Sequence, residues 1–82
     1  MPDGPKILIV DDEPNIRDLL TTSLRFAGFA LRAVGNGAQA ISAVLEEEPD
    51  LIILDVMLPD INGFGVTKRL RSSGYTSPIL FL

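Results

Sequence analysis

Three four-residue apolar runs, at positions 7–10, 51–54 and 79–82, carry no polar residue at all, and the stretches between them place apolar residues at helical spacing. Short unbroken runs rich in Ile, Leu and Val suit strands covered on both faces of a parallel sheet. After the first run, Pro14 follows Asp11, Asp12 and Glu13, a helix start favoured by the fixed φ of proline and by acids at the positive end of the helix dipole. Ile16, Leu19, Leu20, Leu24 and Ala27 continue as a helical stripe, and Gly28 supplies a stop. Residues 29–34 read as a second, more exposed strand because Arg32 interrupts it. Asn36 and Gln39 have the spacing of a capping box ahead of a second helix, whose stripe is Ala38, Ile41, Val44 and Leu45 and which Pro49 ends. Glu46, Glu47 and Glu48 fall at its negative end and read as a solvated face. The third run leads into Asp55 and a turn-rich loop over 58–63, after which Phe64, Val66 and Leu70 mark a shorter helix closed by Gly74. The last run is a fourth strand. The order β-α-β-α-β-α-β predicts an α/β domain with a parallel sheet and right-handed crossovers.

Composition removes several function classes. The 82 residues contain neither Cys nor His, which excludes disulfides, thiolate catalysis, Cys or His metal ligands and a histidine phosphoryl carrier. Seven basic against eleven acidic residues leave a charge of −4 with no basic run, so this segment is not expected to grip nucleic acid. The polar start, residues 1–5 with Asp3, is unlike a signal peptide, and the apolar runs are too short to span a bilayer. A cytoplasmic location is the expectation.

The acids carry the chemistry. Two of the buried-type strands end in carboxylates, the first in Asp11 and Asp12 and the third in Asp55. Open α/β sheets collect ligands at the carboxyl ends of their strands, where strand order reverses. If the first and third strands are neighbours, the three acids share a pocket, and a hard divalent cation such as Mg2+ relieves their repulsion. Asp55, alone at a strand end before a turn, is then the candidate nucleophile toward phosphorus. Any one of these acids taken singly is equally a turn or cap residue.

The segment Ile9-Val10-Asp11-Asp12-Glu13, together with Ile53-Leu54-Asp55-Val56-Met57-Leu58-Pro59-Asp60 and Asn62-Gly63, resembles the receiver domains of two-component response regulators. The resemblance runs from Lys6 to Leu82 and implies a flavodoxin-like sheet of order 2-1-3-4. It implies that Asp55 accepts a phosphoryl group from a phosphohistidine on a sensor histidine kinase. It further implies that Mg2+ is held by Asp11, Asp12, Asp55 and the backbone carbonyl of Met57, Asp12 directly and Asp11 largely through water. Such a domain is a phosphorylated switch rather than an enzyme that turns over. The wording around Gly63-Phe64-Gly65-Val66 and Arg69-Leu70-Arg71 is most similar to receivers of OmpR/PhoB-type transcription factors, which implies DNA binding through an effector domain outside residues 1–82.

Against that family the chain reads as a truncated receiver. The fifth strand and last two helices are missing, as are the Thr or Ser switch residue and the Lys. Residues 79–82 are then expected to form an uncovered apolar edge that invites homodimerisation or domain swapping. Three other readings compete. Gly35, Gly37 and Ala40 fit a loose dinucleotide-binding fingerprint with Asp55 about twenty residues on. A haloacid-dehalogenase-type hydrolase wants a second acid two residues past the nucleophile, where this chain has Met57. The third is a receiver-like interaction module that works without phosphorylation.

Overall fold

The computed structural model describes residues 4–82, so the polar start at Met1 to Asp3 lies outside the described residues. Seven elements follow in order: β1 (Lys6–Val10), α1 (Pro14–Phe26), β2 (Ala30–Val34), α2 (Gly37–Glu46), β3 (Leu51–Leu54), α3 (Gly63–Ser72) and β4 (Ile79–Phe81). The four strands form one parallel sheet of order β2-β1-β3-β4. β1 therefore lies between β2 and β3, and strand order reverses at the β1/β3 boundary.

Register assigns the side chains to two faces. Leu8, Ile52 and Ile79 are in line, as are Val10, Leu54 and Phe81. These rows face α2 and α3, where Leu8, Val10, Ile52 and Leu54 pack with Ala40, Ala43, Val44, Val66, Leu70 and Tyr75. The other face holds a smaller cluster of Ile7, Ile9 and Ile53 beneath Leu20 and Leu24 of α1. Ile9, Val10, Ile52 and Leu54 are wholly buried, each burial contributing roughly 1.5–3 kcal/mol. Burial on both faces is why these strands read as unbroken apolar runs.

Both glycine stops work as expected. Gly28 and Gly74 have φ of 102° and 100°, a left-handed conformation that costs a side-chain-bearing residue. In each case the following residue reaches back over the helix end, with Phe29 N donating to Leu24 O (3.2 Å) and Tyr75 N to Leu70 O (3.0 Å).

All three helical stripes are less buried than their spacing predicts: in α2, Ala38 and Leu45 are exposed, and Ala40 and Ala43 join Val44 in the core instead. No residue of α1 is fully buried, and Ile16 and Leu19 are exposed. The core contacts of this helix come from Leu20 and Leu24. Phe64 also lies outside the core at 61% exposure, its ring tilted against Phe81 with centroids 5.1 Å apart. The acidic run after α2 is partly paired, Glu46 with Arg32 (3.2 Å) and Glu47 with Lys6 (3.1 Å). These exposed pairs are each worth at most about 1 kcal/mol. Among the described residues no helix is long and apolar enough to cross a membrane.

Candidate metal and phosphoryl site

The register that puts Val10 beside Leu54 also puts the next residues side by side at the carboxyl edge of the sheet. Asp55 N donates to Val10 O (2.9 Å) and Asp11 N to Val34 O (3.2 Å), so the ladder holds both backbones one step past the strands. Asp11, Asp12 and Asp55 each present a carboxylate oxygen within 4.8 Å of the others. Asp11 is buried, Asp55 half-buried and Asp12 exposed, so the pocket is closed below and open to solvent above. This is the strand-order reversal at which open α/β sheets bind ligands.

Backbone amides orient the two deeper acids. Asp11 Oδ1 accepts from Glu13 N (2.9 Å), and Asp55 Oδ1 accepts from Met57 N (3.1 Å). Each bond turns the chain sharply after its strand, and each leaves carboxylate capacity for a further partner. Arg17 Nη1 donates to the carbonyl oxygen of Asp11 (2.7 Å), tying α1 to the β1 end. The Met57 side chain is 77% exposed, so a contribution from this residue to the pocket falls to its main chain. Three all-oxygen donors in a compact, partly open site match the demands of Mg2+, which keeps waters and takes few carboxylates.

The loop after Asp55 is held tightly. Gly63 N donates to Val56 O (2.8 Å), and a Cβ on Gly63 would lie 2.7 Å from Asp55 O and 2.9 Å from Val56 Cα. Asp60 crosses to α2, its Oδ1 accepting from Gly37 N (2.8 Å) and its Oδ2 from Ala38 N (2.9 Å). Those amide bonds hold the Asp60 carboxyl below the usual carboxylate range. Asn36 Oδ1 takes the third amide, Gln39 N (2.8 Å).

All three acids singled out from the sequence are thus brought together. Missed were the Asp60 clasp and the Arg17 contact. Asp60 follows Pro59 and looks like a turn residue, and its partners lie 22 and 23 residues upstream, beyond any local pattern. The glycine fingerprint fails for the same reason. The Gly37 and Ala38 amides that would face a pyrophosphate already bind the Asp60 carboxylate.

A family profile described as the response regulator receiver domain matches residues 7–82. The DNA-binding response regulator MtrA of Mycolicibacterium smegmatis is 46% identical over 77 residues, covering 94% of this chain and 33% of its own length. The transcriptional regulatory protein GltR of Pseudomonas aeruginosa is 52% identical over 69 residues, covering 84% of this chain and 28% of its own. Among solved structures, the response regulator TrrA of Thermotoga maritima in complex with Mg2+-BeF superposes with a TM-score of 0.86 at 37% identity, covering 92% of this chain and 65% of that one. The chain spans about a third of the length of the curated relatives it matches. With the acidic pocket at the strand-order reversal and a family match over nearly its whole length, the chain belongs to the response-regulator receiver family.

Proposed function

We propose that this receiver accepts a phosphoryl group on Asp55 from the phosphohistidine of a sensor histidine kinase, in a reaction that requires Mg2+. The observation carrying this reading is the convergence of the Asp11, Asp12 and Asp55 carboxylates within 4.8 Å. Asp11, Asp12, Asp55 and the Met57 carbonyl would hold the cation. When bound, Mg2+ neutralises the clustered carboxylates and the phosphoryl oxygens. The Met57 amide fixes Asp55 through Oδ1. The Asp55 carboxylate then bonds to phosphorus as the P–N bond of the donor breaks, the electron pair leaving with the imidazole. The product is an acyl phosphate on a carrier and switch, and the domain does not turn over as an enzyme.

The whole protein that carries this receiver acts in the cytoplasm as a DNA-binding transcriptional regulator, DNA being contacted by an effector domain outside these residues. The names of MtrA and GltR support that extension. The test is incubation of the full-length protein with Mg2+ and acetyl phosphate, followed by intact-mass analysis. One phosphoryl group is expected on the wild type and none on Asp55→Asn or on wild type in EDTA. A wild type that stays unmodified under all conditions is instead a phosphorylation-independent interaction module.

A further inference from the structure

The loop that joins Asp55 to α3 is anchored at its far end to a different helix. Asp60 spends both carboxylate oxygens on the first two amides of α2, and Asn36 takes the next. The first backbone bond at this end is Ala40 N to Asn36 O (3.1 Å), so side chains serve the three amides before it. Two of those three amides are served by Asp60 from the loop behind the acidic pocket, and one by the helix's own cap, Asn36.

The approach is close enough to demand glycine. A Cβ on Gly37 would lie 2.8 Å from Val66 Cγ2, 3.2 Å from Ile61 Cβ and 3.3 Å from Asp60 Oδ1. At the near end, Gly63 N holds Val56 O and Met57 N holds Asp55 Oδ1. Met57 therefore sits on a short span fixed at Asp55–Val56 on one side and at Asp60 on the other. A carbonyl offered to a cation from such a span has its position set by both anchors, and misplacement of a supporting group weakens a metal site without touching its ligands.

We propose that Asp60 is a positioning residue for the cation site, clasping the Asp55 loop to the N-terminus of α2 so that the Met57 carbonyl is held toward the Asp11, Asp12 and Asp55 carboxylates. The proposal rests on the Mg2+ reading given above. An isolated helix cap stabilises its helix and nothing else, whereas this clasp links the start of α2 to the cation-binding loop.

The two roles separate in one experiment. Mg2+ affinity is measured by titration calorimetry on folded wild type, Asp60→Ala, Asp60→Asn and Asn36→Ala, alongside the metal-free melting temperature of each. Asn36→Ala removes a cap from the same helix end without touching the loop. We expect Asp60→Ala to weaken Mg2+ binding about tenfold. Asp60→Asn, which keeps one acceptor oxygen, should fall between it and wild type. Asn36→Ala should melt lower yet bind Mg2+ like wild type. Equal Mg2+ affinity in Asp60→Ala and wild type overturns the positioning role, as does an equal loss in Asn36→Ala. Failure of the wild type to bind Mg2+ overturns the cation site itself, a result distinct from either.

Discussion

Gly63 marks the point where a single methyl group decides whether the acidic pocket keeps its shape. Its missing side chain leaves room for the Asp55–Val56 backbone, which would otherwise meet a Cβ at 2.7–2.9 Å. Backbone cannot yield there as a flexible side chain would. We predict that Gly63→Ala destabilises the fold by roughly 1–3 kcal/mol in urea unfolding and weakens Mg2+ binding as well. An unchanged urea midpoint would show that the loop relaxes freely. Asp60 carries a pH signature. Its carboxyl is held below the ordinary value by the Gly37 amide first and the Ala38 amide next. A depressed folded-state value gives stability that is present above the unfolded carboxylate pKa of about 3.9 and lost as pH falls through the lower folded value. The wild type should therefore lose melting temperature more steeply than Asp60→Asn as pH is lowered from 5 to 3, and parallel curves would refute the link. At this scale the strand-end acids were legible because each follows an apolar run. Asp60 was not, because its role is defined by amides on another element.

Helix ends and their connections show which local signals survive folding. Gly28 and Gly74 act through their own backbone conformation, so their positions in the sequence sufficed. The Asn36–Gln39 pair is altered in detail: Asn36 caps Gln39 N as the spacing predicts, but Gln39 Oε1 reaches Gly35 N (3.1 Å) rather than the cap residue's own amide. Tyr75, between α3 and β4, had no sequence signal. It is 2% exposed, and its hydroxyl donates to Pro49 O (2.9 Å), joining the α3–β4 turn to the α2–β3 turn. Tyr75→Phe leaves that carbonyl without its partner and should cost roughly 1–3 kcal/mol in denaturant unfolding. Burial raises the Tyr75 phenol above its ordinary value, so its contribution is full below pH about 10 and declines as pH rises through the folded value. The alkaline arm of the melting curve should be flatter in Tyr75→Phe.

The two faces of the sheet are unequally covered across the whole molecule. Among the described residues α2 and α3 seal one face, whereas α1 alone lies on the other. β4 pairs only with β3 among the described strands, and Leu80, Phe81 and Leu82 are 55%, 38% and 55% exposed. Leu80 is in register with Ile53, on the α1 face. An exposed apolar edge strand is a template for pairing with another chain. We predict that the isolated 82-residue chain self-associates in sedimentation velocity at micromolar concentration and that Leu80→Lys shifts it toward monomer. A wild-type chain that sediments as a single monomer and melts cooperatively would contradict this. The same uneven cover explains why the Ile16 and Leu19 positions of α1 look like core in the sequence yet stand exposed.

Element order, the parallel sheet, the helix stops and the three pocket acids follow from the sequence alone, because each rests on a local rule: burial of unbroken apolar runs, the left-handed freedom of glycine, and acids placed where a strand ends. Tertiary structure decided what depends on two distant segments meeting. Placing β1 beside β3 brought the carboxylates within reach of one cation, the crossing of the Asp55 loop to α2 gave Asp60 its partners, and the sheet's cover determined which helical stripes are buried. Hydrogen bonds and packing act between neighbours in space, and no spacing along the chain encodes a neighbour twenty residues away.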